Sequence, residues 1–128
     1  MPSPRPLQIV VAILSLIPVS AGGAGVLLGP AMIPALEAGP VDLDSHYRYL
    51  SGLLLGLGLV FWSCVPGIAG KTVRFQAAGA VVVCGGFARL LSLVVAGAPS
   101  LPHLLGLGVE LAVVPALMLW QWRCYRRI

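Results

Sequence analysis

Charged residues are scarce in this sequence. Asp, Glu, Lys and Arg make up 9% of its 128 residues, whereas soluble domains carry about 25%. Only four residues are acidic, against eight basic ones. A chain so poor in charge, and 59% hydrophobic, cannot present a hydrated surface on all sides. The composition therefore argues against an ordinary soluble domain and predicts an integral membrane protein that is surrounded by the lipid bilayer.

Motifs for metals, cofactors and disulfides are also missing. The three cysteines, Cys64, Cys84 and Cys124, show no CxxC or other metal-ligand spacing. We expect them to act as small apolar side chains, with no metal and no cofactor. The net charge of +4 comes from basic residues in short loops and at the C-terminus rather than on one soluble face. We therefore expect no nucleic-acid partner.

Four apolar stretches are each long enough to cross a bilayer, which takes about 20 helical residues. The sequence predicts a single transmembrane domain over residues 1–128, an all-α four-helix bundle. Its spans are expected at about 7–28, 47–65, 73–97 and 102–122. The N-terminal stretch imitates a signal peptide, but its apolar run continues to Leu28, so we expect an uncleaved span. Pro18 is expected to kink this first span, and Pro115 lies inside the fourth.

Lys and Arg are distributed unevenly between the two predicted sides. One side holds Arg5, Lys71, Arg74, Arg123, Arg126 and Arg127. The other side holds only Arg48. Because cytoplasmic loops carry the excess of basic residues, we predict a multi-pass protein of the cell membrane with both termini in the cytoplasm. Trp120, Trp122 and Tyr125 near the inner end of the fourth span are typical of an interfacial aromatic belt.

The longest predicted connection is the outer loop 29–46. Its segment AMIPALEA is predicted to lie as a short helix at the membrane surface. Asp42 or Asp44 is placed to cap the start of the second span. Asp44 and Arg48 are four residues apart, so they can form an ion pair on one helical face.

Glycine is abundant, with 16 residues. Small residues four apart allow helix backbones to approach closely in lipid. Gly25 and Gly29 have this spacing, as do Gly52 and Gly56. The complete set of predicted packing glycines is Gly25, Gly29, Gly52, Gly56, Gly85, Gly86 and Gly106.

One arginine lies deep within a predicted span. Arg89 is eight residues inside the outer end of the third span, or roughly 12 Å deep. A charge at the bilayer centre costs about 2.5–3.5 kcal/mol on insertion scales. Its own helical face carries small or weakly polar residues, namely Gly85, Gly86, Ser92 and Ala96. This face predicts that Arg89 points into the bundle rather than at lipid.

Glu110 is the only acid inside a predicted span. The short connection 98–102 makes the third and fourth spans antiparallel neighbours, so Arg89 and Glu110 are predicted to meet at the same depth. Gly106 and His103 continue the face of Glu110 outwards. The pair can be a structural lock between two helices or the floor of a polar pocket.

On the pocket interpretation, the second span contributes Arg48 and Tyr49. The pocket would open outwards, with Arg89 and Glu110 at its floor. The predicted pocket residues are Arg89, Glu110, Arg48, Asp44, Tyr49 and His103.

Several stretches in succession resemble a known family. They are GP at 29–30, DSHYRYLSGLLLGLGL at 44–59, GGFARLLSLVVAGAPS at 85–100 and GLGVELAVVPALMLWQ at 106–121. In these stretches the chain is similar to the small bacterial membrane proteins grouped as domain-of-unknown-function family 4345. The resemblance implies a four-helix protein of the bacterial inner membrane without an established activity. It also implies recurring polar positions at Asp44, Arg48, Tyr49, Arg89 and Glu110.

Three functions remain open at this point. We expect a binding or accessory module that takes a small or lipid-like ligand, or a partner membrane protein, in the outward-facing pocket of Arg89 and Glu110. The alternative is a subunit of a small transporter or channel, which would have to be a homo-oligomer because one four-span bundle is too thin for a roomy pathway. An intramembrane enzyme could use Glu110 as acid or base. Since nothing supplies a nucleophile or cofactor, we expect no enzyme.

Overall fold

The computed structural model describes residues 2–33 and 39–126. Within these ranges the chain is all-α, with four long helical segments and no β-strand. The helices are α1 (Arg5–Leu14), α2 (Leu16–Leu28), α3 (Val41–Cys64), α4 (Thr72–Ala96), α5 (Leu101–Gly108) and α6 (Val114–Tyr125). Short 3-10 turns cover Gly29–Met32 and Ile68–Gly70, and a π-helix, Val109–Val113, joins α5 to α6.

Three helical segments are long and apolar enough to cross a membrane. They are Arg5–Met32, Thr72–Ala96 and Leu101–Tyr125. Together they indicate a membrane protein, as the composition predicts. The helix α3 has 24 residues, but Asp42, Asp44 and Arg48 lie in its first turns. Its crossing of the membrane stays a prediction.

The chain divides into two compact units. The N-terminal unit comprises Gln8–Pro66, and its main contact is the packing of α2 against α3. The C-terminal unit comprises Met1–Leu7 together with Gly67–Ile128, and in it α4 packs against α6 and the π-helix. Because only residues 97–100 separate α4 from α5, the two helical segments of the C-terminal unit are antiparallel, as predicted.

Glycines allow α2 and α3 to approach closely. A Cβ atom on Gly22 would lie 2.5 Å from the main-chain nitrogen of Leu55 and 2.8 Å from the carbonyl oxygen of Ser51. A Cβ atom on Gly25 would overlap the side chain of Ser51. Gly25 is therefore a packing glycine, as predicted, whereas Gly22 was not among the predicted set.

The internal prolines coincide with irregular helix geometry. Pro18 has no N–H to donate, and the first helical segment is interrupted at Ser15, three residues earlier. The Ser15 hydroxyl donates to the carbonyl oxygen of Val11 at 2.6 Å. Just before Pro115, the N–H of Val114 donates to the carbonyl of Val109, five residues back, as in a π-helix. The backbone N–H groups of Ser15 and Val19 still donate to the carbonyl oxygens four residues back, at 2.9 and 3.2 Å, so the kink at Pro18 stays a prediction.

The helix that contains the predicted second span starts before the span does, and the bounds of the span itself stay a prediction. The helix α3 begins at Val41 rather than near Tyr47, and Pro40 occupies the N-cap position with no side-chain cap bond. Asp42 and Asp44 therefore do not cap the helix. They lie inside its first turn, where carboxylates interact favourably with the positive end of the helix dipole.

The outer loop is only partly described. The AMIPALEA segment covers residues 31–38, of which Ala31 and Met32 belong to a 3-10 turn. The rest of the predicted surface helix, including Glu37, falls largely on residues 34–38, which lie outside the described residues.

Candidate functional site

Arg89 and Glu110 form the predicted ion pair. The Nε of Arg89 donates to Oε2 of Glu110 at 2.9 Å, and Nη2 donates to Oε1 at 3.1 Å. These two bonds make a bidentate pair, the strongest arrangement available to a guanidinium and a carboxylate. The pair joins α4 to the π-helix of the antiparallel segment.

His103 completes this group, which we call the Arg89 cluster (Arg89, Glu110 and His103). The Nη1 of Arg89 lies 2.9 Å from Nδ1 of His103, so Nη1 can donate a hydrogen bond to the unprotonated nitrogen of a neutral imidazole. Gly106 lies beside the pair, and a Cβ atom at this position would be 3.9 Å from both Cζ of Arg89 and Oε1 of Glu110. His103, Gly106 and Glu110 thus share one helical face, as the spacing predicts.

Local backbone geometry places the two charges. The π-helix Val109–Val113 contains Glu110, and such turns occur often at functional sites because they re-aim a side chain. On the opposite helix, a Cβ atom on Gly86 would lie 2.9 Å from Cβ of Glu110 and 2.7 Å from Cδ2 of Leu111. The absence of a side chain at Gly86 therefore lets Glu110 approach α4.

The Arg89 cluster remains accessible. The side chain of Arg89 is 35% exposed and that of Glu110 is 19% exposed. A guanidinium has five N–H groups, and the contacts with described residues use one on each of its three nitrogens. One N–H on each terminal nitrogen is thus available for an outside acceptor. Phe87 and Leu91, two residues before and after Arg89 and therefore on the other side of α4, are 60% and 63% exposed.

The predicted inward stripe around Arg89 is only partly correct. Gly86 is buried, but Gly85, Ser92 and Ala96 are exposed. The orientation of Arg89 therefore depends on its contacts with Glu110 and His103 rather than on a continuous small-residue face.

Asp44 and Arg48 form a second ion pair, in the N-terminal unit. Arg48 Nε donates to Oδ2 of Asp44 at 2.9 Å. Its Nη1 also donates to the carbonyl oxygens of Val26 at 2.7 Å and Leu27 at 3.1 Å. Arg48 thereby caps the C-terminal end of α2, where helix carbonyls lack partners. Gly29 follows with a φ of +62°, and a Cβ there would lie 2.8 Å from both members of the pair.

The predicted pocket residues fall into these two groups. Arg89, Glu110 and His103 belong to the C-terminal unit, and Asp44 and Arg48 belong to the N-terminal unit. The side chain of Tyr49 is 63% exposed.

The remaining predicted packing glycines differ in how closely other parts of the protein approach them. Gly52 has an ordinary contact, with Val26 at 3.8 Å from a Cβ. At Gly56 and Gly85 the predicted packing is wrong for the described residues, since none has an atom within 4 Å of the added Cβ. Two other glycines that were not predicted pack tightly: Gly58 against Val19 and Pro18, and Gly79 against Met118.

Sequence reasoning also missed a buried amide network. Gln121 is 0% exposed and donates to the carbonyl of Ile68 at 3.1 Å and to the Thr72 hydroxyl at 2.8 Å. Gln76 donates to Oε1 of Gln121 at 3.1 Å and to the carbonyl of Met118 at 2.8 Å. A lone glutamine in an apolar helix is the only signal in the sequence, and it does not identify a partner.

Tyr125 does not occupy the predicted aromatic belt. It is 2% exposed, and its hydroxyl donates to the carbonyl oxygens of Pro2 at 3.2 Å and Ser3 at 3.0 Å. The N-terminal segment and the end of α6 therefore lie at the same end of the C-terminal unit.

All three cysteines are free thiols. Among residues 2–33 and 39–126, no group of His, Cys, Asp and Glu has the arrangement of a metal site.

The described helices and the Arg89 cluster define an all-α protein of membrane type with a charged pair between two apolar helices. The family model for the domain of unknown function DUF4345 matches residues 6–121. Because this match covers most of the chain, the protein belongs to that family, and the predicted resemblance is confirmed. No curated protein and no solved structure matches the chain.

Proposed function

We propose that this chain is a membrane binding module whose Arg89 cluster takes the polar group of a small or lipid-like ligand. The observation that carries the proposal is the guanidinium of Arg89, which lies between two apolar helical segments. It is 35% exposed, and two of its five N–H groups have no partner among the described residues. In such surroundings an N–H group without a partner is costly, so an acceptor from a ligand gains free energy there.

The net charge of the Arg89 cluster indicates which chemical class of ligand group it would bind. Glu110 neutralises Arg89 through two hydrogen bonds, and a neutral His103 accepts a third. A cluster with no net charge favours an uncharged acceptor, such as an ester or amide carbonyl or a hydroxyl, over an anion. The two helical segments that carry the cluster are apolar enough to span a membrane, which suits the hydrocarbon part of the same molecule.

The topology is part of the proposal. We infer a multi-pass protein with both termini and the 67–71 turn on the cytoplasmic side. The hydrogen bonds from Tyr125 to Pro2 and Ser3 support this arrangement, because they bring the N-terminal segment to the end of α6. Arg5, Lys71, Arg74, Arg123 and Arg126 carry the basic charges of these segments, in line with the positive-inside rule.

The test is co-purification of a ligand. The full chain is extracted into nanodiscs containing a total membrane lipid extract, washed, and analysed for retained molecules by native mass spectrometry. We expect the wild-type protein to retain one defined lipid or small molecule, seen as a constant added mass. The double variant Arg89→Leu with Glu110→Leu, which replaces the pair by apolar groups, should lose that species without unfolding.

Two single histidine variants, one inside and one outside the cluster, provide the matched comparison. His103→Leu should reduce retention because it removes a neighbour of the guanidinium. His46→Leu makes the same change on α3 of the N-terminal unit, at a residue that is not part of the cluster, and should retain the ligand. If the folded double variant retains the same species as wild type, the pair is a structural lock and the binding proposal is wrong. Solute flux through reconstituted wild type that the double variant abolishes would instead favour the transporter subunit.

A further inference from the structure

A second candidate site lies at the opposite end of α4 from Arg89. There a cavity of about 500 Å³ opens between the 69–74 segment and the end of α6. This volume lies in the range of small-molecule sites, which run from about 300 to 1,000 Å³.

Three of the nine residues that line this cavity are basic. Lys71, Arg74 and Arg126 line it, and no acidic side chain is among the described residues around it. The guanidinium of Arg126 lies over the ring of Trp122, with Cζ 4.2 Å from the ring centroid. This cation–π contact holds one cation at the cavity on an aromatic surface.

The backbone adds to the positive potential. The helix α4 starts at Thr72, so its first turn contributes to the cavity wall. The first turn of a long helix carries N–H groups without intrahelical acceptors and a partial positive charge. The amide of Gln121 bonds both the Thr72 hydroxyl and the carbonyl of Ile68, which fixes this wall to α6.

We propose that the cavity lined by Lys71, Arg74 and Arg126 binds the phosphate of an anionic phospholipid headgroup. Three cations, a helix N-terminus and an aromatic ring converge on a space of suitable size, at an end of two apolar helices that are long enough to span a membrane. Basic pockets between membrane helices bind anionic headgroups by this combination of charges. The site is independent of the Arg89 cluster.

The test measures lipid preference around the full chain. Nanodiscs of mixed phosphatidylcholine and phosphatidylglycerol hold the protein, and native mass spectrometry compares the lipids it retains. We expect wild type to prefer phosphatidylglycerol. Removing one lining cation by Lys71→Gln or Arg126→Gln should reduce this preference about fivefold, since each basic residue contributes about 1 kcal/mol.

Arg123→Gln is the matched control. It removes the same charge from the last turn of α6, but Arg123 is not part of the cavity lining. We expect it to retain the preference. A thermal melt of each variant identifies any that fails to fold, and Arg126→Gln, outside the helices, then decides the result.

A test with inorganic phosphate distinguishes a site for a lipid headgroup from a site for a free phosphate ion. Phosphate added to nanodiscs of phosphatidylcholine alone should give no saturable binding if the headgroup is needed. Saturable phosphate binding that Arg126→Gln weakens would support the phosphate site and assign it to a free anion. Equal retention of both lipids by wild type, or an equal loss in Arg123→Gln, would overturn the proposal.

Discussion

Arg89 and Glu110 are joined across two antiparallel helical segments by hydrogen bonds of 2.9 and 3.1 Å. Loss of one partner leaves the other charge partly buried and unmatched. We expect Glu110→Gln to lower the free energy of unfolding by about 1–3 kcal/mol. Thermal unfolding in detergent measures this change.

A charge exchange is the control for this first prediction. Arg89→Glu combined with Glu110→Arg restores opposite charges at the same two positions. We expect it to recover more stability than either single variant, although it should not recover ligand retention if the cluster binds a ligand. A double variant no more stable than the singles would show that the ion pair does not join the helices.

Two adjacent glycines on α4 make a second test. Gly86→Ala would place a methyl group 2.9 Å from Cβ of Glu110, so Glu110 must move away from Arg89. We expect a loss of about 1–3 kcal/mol, typical of overpacking. Gly85→Ala meets no described atom within 4 Å and should be neutral or slightly stabilising. Equal melting temperatures for the two variants would contradict the close approach.

The contact of α2 with α3 gives a third prediction. Gly22→Ala would bring a methyl group within 2.5 Å of the main-chain nitrogen of Leu55, and a backbone atom cannot move aside as a flexible side chain can. We expect destabilisation by about 1–3 kcal/mol. Gly23→Ala, in open space on the same helix, should not destabilise. Chemical denaturation of both variants in one detergent compares them directly.

The amide network supplies a fourth prediction. Gln121→Leu removes three hydrogen bonds at a fully buried position and leaves the carbonyl of Ile68 without this donor. We expect a loss of about 1–3 kcal/mol. Gln8→Leu makes the same change at a partly buried position, where the side chain donates to the carbonyl of Val65 at 2.7 Å, and it should cost less. A larger loss in Gln8→Leu would show that burial of the network is not what stabilises it.

The ion pair of Arg89 with Glu110 was predictable because two simple quantities determine it. A short connection makes the helices antiparallel, and equal distances from that connection put both residues at one depth. Pairing of Asp44 with Arg48 follows from helical spacing alone. Local rules suffice where the partner is set by spacing or by a tight turn.

Other contacts depend on how one helix is shifted and rotated against another. The neighbours of Gly22 and Gln121 belong to distant parts of the chain, and no local spacing encodes them. The same limit explains Gly56, which has a packing motif but faces open space among the described residues. Asp44 was misplaced as a cap because α3 starts earlier than its apolar pattern does.

The polar groups of α4 find their partners in the helical segment that follows it. Alone in lipid, Arg89 would cost about 2.5–3.5 kcal/mol on insertion scales, and Glu110 arrives only after the turn at residues 97–100. During synthesis, α4 is therefore poorly suited to leave the translocation channel by itself. The hairpin from Thr72 to Tyr125 contains both Arg89 and its partner Glu110, so we expect its two helical segments to enter lipid together.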